Sequence, residues 1–159
     1  MLVSAAWIVP AVFGALNQVA QKRLFGGEVR LPEILFAVGD WLVYAFLTPA
    51  VFAVSQRWPI ARPYVASRVA FHFSVSLLFC AAWALPVTVL RAVLLPQFLR
   101  GGPAASFVSW LFITFPFGVA VYLCVVGIEH ATRYFVEARD RGLELARMSE
   151  QLSNGRLAA

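Results

Sequence analysis

The stretch Gly127–Ala159, GIEHATRYFVEARDRGLELARMSEQLSNGRLAA, decides the fold. It opens at the end of an apolar run that includes Val125 and Val126. It crosses a polar boundary at Glu129, His130 and Arg133, and then continues without a proline. Beyond the boundary, Leu143, Met148, Leu152 and Leu157 recur so as to stay on one side of a helix, drifting slightly. Ala138, Leu145, Leu152 and Ala159 form a heptad series beside them, with Met148 three residues after Leu145. Arg133, Arg139, Arg141, Arg147 and Arg156 alternate with Glu137, Asp140, Glu144 and Glu150 and supply the solvated faces. The pattern predicts a membrane helix that runs on into water as an amphipathic, coiled-coil-like shaft over 129–159. Leu145, Met148 and Leu152 are its expected signal-transmitting and dimer-forming positions. A single helix lying on the membrane surface is the alternative for the same stretch.

Upstream, the chain is apolar in blocks. Of 159 residues, 61% are hydrophobic and 13% charged, where a soluble domain carries about 25% charged residues. Met1 to Gln21 has no charged side chain, and Ile34 to Ser55 has only Asp40. Arg68 and Arg91 bracket a third uncharged run, and Arg100 and Glu129 a fourth. Each is long enough for the roughly 20 residues that cross a hydrocarbon layer as a helix. The expected fold is therefore all-α: a four-helix transmembrane bundle over 1–128, with spans near 2–20, 33–55, 69–90 and 104–128, and a signalling helix over 129–159. The first run has no basic leader and is longer than a cleavable signal's apolar region, so it is expected to stay as a span.

The flanking charge sets an expected orientation. Arg57, Arg62, Arg68 and the five tail arginines fall on one side, eight in all; Lys22, Arg23, Arg30, Arg91 and Arg100 fall on the other. Lys and Arg concentrate on the cytoplasmic face, so both termini are expected in the cytoplasm. The net charge of +5 then serves anionic headgroups and gives no reason to expect nucleic acid.

The candidate chemistry is sparse. Asp40 is the one formal charge well inside a span, and intramembrane charge is costly unless it faces the bundle or water. Asn17 and Gln21, four residues apart on one helix face, are expected at its level. Asn17, Gln21 and Asp40 are the candidate ligand-binding set; hydrogen bonding between helices is the plainer reading of the same residues. His72, near the opposite end of its span, is expected to lie far from Asp40. Cys80 and Cys124 sit in apolar runs and make no metal spacing. No hydrolase, kinase or phosphate-loop motif is present, so no catalytic residue, metal or cofactor is expected.

Gly127, His130, Tyr134, Arg139, Leu143, Met148, Leu152, Arg156 and Leu157, together with the stretch LTPAVFAVSQRWPIAR at Leu47–Arg62 and the following His72, resemble the membrane domain and junction of LytS/YehU-type sensor histidine kinases. The resemblance implies a homodimeric sensor in the bilayer that passes a signal through its last helix to a kinase core. It also implies a phosphoacceptor histidine box shortly after Leu157, and neither that box nor the ATP-binding boxes occurs in residues 1–159. The expected role is thus a non-enzymatic input module, with a kinase core as attached or separate partner. The alternatives are a small transporter or channel subunit with a polar path near Asp40, and a membrane scaffold that binds a partner through its tail.

Overall fold

A computed structural model describes residues 5–99 and 101–157, with side chains as far as Gln151. Four α-helices follow one another: α1 Ile8–Leu24, α2 Leu31–Arg57, α3 Val65–Leu94 and α4 Gly102–Leu157. A single 3-10 turn, Pro96–Phe98, lies between α3 and α4, and the described residues contain no strand. Each start has a local cause. Extended Arg30 precedes α2, with Pro32 in its first turn, where the missing N–H costs nothing. Gly101 and Gly102 adopt φ of +80° and +88°, a conformation that only glycine takes freely, and this reverses the chain into α4.

Helices α2, α3 and α4 are each long and apolar enough to cross a membrane. Their outward side chains are those lipid would solvate: Phe46, Leu78, Leu85, Phe112 and Ile113 are all exposed. Facing water, such a surface would be an aggregation hazard. The interior is the more polar side. Thr48, Ser55, His72, Ser76, Thr88, Ser106 and Glu129 are buried. In a bilayer, burial of apolar area does not drive helices together; close packing and hydrogen bonds between helices do.

Helix α2 is the centre of the arrangement, packing against α1, α3 and α4, while α3 also packs along α4. The core is aromatic. Trp7 stacks on Tyr44 at 5.3 Å, Tyr44 on Trp83 at 5.4 Å, and Trp83 meets Trp110 edge-on at 6.3 Å. These four rings come from the segment leading into α1 and from α2, α3 and α4, so one ladder ties the four helices together. The Trp7 indole donates to Thr48 Oγ1 at 2.8 Å, which gives the buried N–H its partner.

The first helix ends four residues beyond the expected span of 2–20. Its described part runs from Ile8 to Leu24 and carries Lys22 and Arg23 in its last turn; residues 1–4 lie outside the described residues. The reason is a pair of anchors: Trp7 on Thr48 at one end, and Lys22 Nζ on Glu33 Oε1 at 3.0 Å at the other. The last helix is unbroken from Gly102 through Pro116 and past Glu129 to Leu157. At 1.5 Å per residue, the part beyond His130 reaches about 40 Å from the packed helices. From Tyr134 to Gln151 every side chain is exposed.

Candidate functional site

At the end of the bundle where α4 leaves it, seven residues from three helices and a loop form two neighbouring hydrogen-bonded sets. Tyr122, Val125, Val126 and Glu129 occupy one face of α4, and all four are buried. That spacing carries the core stripe of the span one turn further, so Glu129 is delivered into the bundle beside the C-terminal turn of α2. There the Ser55 hydroxyl, fully buried, donates to Glu129 Oε2 at 2.7 Å. The same carboxylate oxygen is 3.0 Å from His130 Nδ1.

His130 reaches in the other direction as well. The main-chain N–H of Ile60, in the α2–α3 loop, donates to His130 Nε2 at 3.1 Å. A peptide N–H can only donate, so Nε2 bears the lone pair and the ring proton resides on Nδ1. Nδ1 then has two acceptors within reach, Glu129 Oε2 and the Val126 carbonyl at 3.1 Å. His72 forms the second set. Its Nε2–H donates to the Trp58 carbonyl at 2.9 Å, and its Nδ1 accepts from the Tyr122 hydroxyl at 2.8 Å. Both His72 and Tyr122 are fully buried.

The arrangement is a clasp. Through Ser55, Trp58 and Ile60 it fastens the end of α2 and the loop after it to Tyr122, Glu129 and His130 at the exit of α4. A buried carboxylate is tolerated only when hydrogen-bonded or paired, and Glu129 Oε2 has both the Ser55 hydroxyl and the His130 Nδ1–H within hydrogen-bonding distance. Moving α4 along or about its axis would break several of these bonds at once, so the exit of the shaft has few low-energy positions.

The residues singled out from the sequence are not in this clasp, His72 and His130 excepted. Asp40 is half-buried on α2, and its Oδ1 has no partner among the described residues. The α1 face turned to α2 carries Trp7, Ala11 and Gly14, the last with Trp41 against it. Asn17 and Gln21 lie on the flank of that face, are exposed, and make no hydrogen bond among the described residues. No hydrogen bond joins Asn17 or Gln21 to Asp40 among the described residues. His72 is held at the tail end and Asp40 in the half of α2 away from it, as their positions in the spans imply. Leu145 and Met148 stand exposed on the projecting part of α4; Leu152 is helical there, with its side chain outside the described residues. No group of His, Cys, Asp and Glu among the described residues is placed to hold a metal ion.

In the sequence Glu129 stands out only as part of the polar boundary and Ser55 only as the end of an apolar run; neither is a candidate site residue there. Glu129 carries a signal: it falls three and four residues after the buried Val126 and Val125, in register with the stripe. The loop's contribution carries none, because it is made by main-chain atoms.

These features define a helical chain of the membrane-spanning kind, with a polar clasp where its last helix emerges. No protein-family model, characterised protein or solved structure matches it.

Proposed function

We propose that this chain is the membrane input module of a two-component sensor histidine kinase of the LytS/YehU type. In this reading four helices cross the inner membrane, both termini are cytoplasmic, and two copies pair through the tail. A signal received in the membrane domain changes the position of α4 at the clasp. The shaft carries that change to a kinase core outside residues 1–159, and the chain itself performs no phosphotransfer.

One observation carries the reading: the helix that forms the clasp and the helix that projects are the same unbroken helix, Gly102–Leu157. A side chain buried against α2 at Glu129 is thereby mechanically joined to exposed apolar positions at Leu143, Leu145 and Met148. Exposed apolar residues at helical spacing on an otherwise charged shaft are what a paired helix buries. The likeness of Gly127–Leu157 to the junction of these kinases adds the direction of signalling.

Cysteine at position 145, introduced as Leu145→Cys into a chain carrying Cys80→Ala and Cys124→Ser, tests the reading in native membranes. Oxidation is expected to produce a disulfide-linked dimer, with Leu152→Cys behaving likewise. Adding Glu129→Gln or Ser55→Ala is expected to change the cross-linking yield at position 145, since each loosens the clasp. Complete absence of a dimer from both positions would falsify the proposal.

A further inference from the structure

At the end of the bundle opposite the clasp lies a cleft of about 300 Å³ between α1, α2, α3 and the start of α4. Three charged side chains line it: Lys22, Glu33 and Arg91. Lys22 is paired with Glu33 through Oε1 at 3.0 Å. Glu33 is only 7% exposed, and its other oxygen, Oε2, is shut off from solvent with no partner among the described residues. An unpaired buried carboxylate oxygen is costly and calls for a donor.

Arg91 is the complementary case. Its guanidinium lies over Trp110 at 5.0 Å and over Phe98 at 5.8 Å. Stacking uses the faces of the guanidinium and leaves its N–H edge free for an anion. No carboxylate among the described residues pairs with Arg91, and its Nε has no hydrogen-bond partner. The cleft thus presents two unfulfilled and opposite demands: a carboxylate oxygen that needs a donor, and a stacked cation that needs an anionic acceptor. Both residues line the same cleft and are not paired with each other.

We propose that this cleft binds an amphoteric headgroup-sized ligand, its phosphate or carboxylate on Arg91 and its ammonium or hydroxyl donor on Glu33. The demand for both functions in one small ligand separates it from a bare anion, which would leave Glu33 Oε2 unanswered. The position of the cleft at a bundle end fits two sources of the same chemistry, a bilayer lipid headgroup and a soluble metabolite. The proposal extends the input-module reading by naming its ligand. Binding is read on this chain alone, so its failure is distinct from a failure to signal.

The test uses the full chain in phosphatidylcholine nanodiscs and reads the thermal unfolding midpoint, which a ligand of the folded state raises by mass action. One arm titrates phosphoethanolamine in solution; the other replaces part of the lipid with phosphatidylethanolamine. Phosphocholine and phosphatidylcholine carry the same phosphate without an N–H donor and are the matched controls. At least one ethanolamine arm is expected to raise the midpoint above its choline control, and which arm responds identifies the source. Arg91→Gln is expected to weaken the response about tenfold or more, while Arg23→Gln, on the exposed part of α1, leaves it unchanged. If Arg91→Gln does not fold, Arg91→Lys replaces it; this variant keeps the charge but loses the planar fork, and the same weakening is expected. Equal responses to ethanolamine and choline, no response in either arm, or an Arg91 variant that responds like the parent each overturn the proposal.

Discussion

Helix contacts in this chain come down to individual atoms. Gly118 on α4 faces Cys80 on α3, and a Cβ at position 118 would lie 2.7 Å from Cys80 Sγ. With the sulfur removed, the nearest atom to that Cβ would be Cys80 Cβ at 3.7 Å, an ordinary contact. Gly118→Ala is therefore expected to destabilise the bundle by about 1–3 kcal/mol, the usual range for overpacking. Combining it with Cys80→Ala should recover most of the loss. Reversible unfolding of the single and double variants in one detergent checks this; simple additivity would show that the two residues do not touch. A second prediction concerns Tyr122, whose hydroxyl is the partner of the buried His72 Nδ1. Tyr122→Phe leaves that nitrogen without a donor and is expected to cost about 1–3 kcal/mol. Tyr134→Phe, which removes an exposed hydroxyl, should stay within about 0.5 kcal/mol. At this scale the sequence was partly legible. His72, His130 and Asp40 stand out because they interrupt apolar runs. Their partners do not, because Trp58 and Ile60 contribute only a carbonyl and an N–H, which every residue possesses. The expected grouping of Asn17, Gln21 and Asp40 rested on depth alone. Depth puts residues at one level of the bilayer, but azimuth decides contact, and Trp7, Ala11 and Gly14 claim the side of α1 that meets α2.

Among the elements, α4 is two helices in physical terms. As far as His130 it is packed, and from Tyr134 to Gln151 every side chain is exposed. An isolated helix of that length in water is marginal, since most helical stability in proteins comes from tertiary packing. Amide hydrogen exchange should therefore step sharply near residue 130. Amides of 106–130 are expected to stay protected, and those of 134–151 to exchange orders of magnitude faster in the monomer. Pairing through the tail would slow the second group in proportion to protein density in the membrane. Uniform protection along α4 at every density would contradict both the projecting geometry and the proposed pairing. The runs of apolar residues made α2, α3 and the membrane part of α4 legible, because in lipid every backbone group must bond within its own helix and length settles the rest. Pro116 lies near the middle of the membrane part of α4, and the helix passes through it. A proline removes one N–H, and within packed helices neighbours absorb the local change. The first helix was less legible. Its apolar run begins at the first residue, but the anchors that position it, Thr48 and Glu33, belong to α2.

For the whole molecule, the two polar features lie at opposite ends. Rings connect them: Arg91 over Trp110, Trp110 against Trp83, Trp83 on Tyr44, Tyr44 beside Phe79 at 5.9 Å, and Phe79 against Tyr122 at 5.6 Å. Adjacency of this kind does not by itself establish coupling, but it places the cleft and the clasp on opposite faces of any bilayer the bundle crosses. The proposed orientation rests on the arginines, and the proposed fourth crossing on α1, which at 17 residues is the shortest of the four helices. Single cysteines in the Cys80→Ala, Cys124→Ser background separate these questions when probed with a membrane-impermeant maleimide. Glu28→Cys, in the loop at the cleft end, is expected to react on intact cells. Tyr134→Cys, just past the clasp, is expected to react only after permeabilisation, because the clasp side carries the larger share of Arg and such residues are retained in the cytoplasm. The reverse pattern would invert the molecule and move the cleft to the cytoplasmic face. Ala6→Cys then decides whether α1 crosses. If it does, position 6 lies on the side of position 134 and stays unlabelled on intact cells. If α1 instead lies in the outer interface, position 6 reacts together with position 28, and the Trp7–Thr48 bond halfway along α2 could not form in that state.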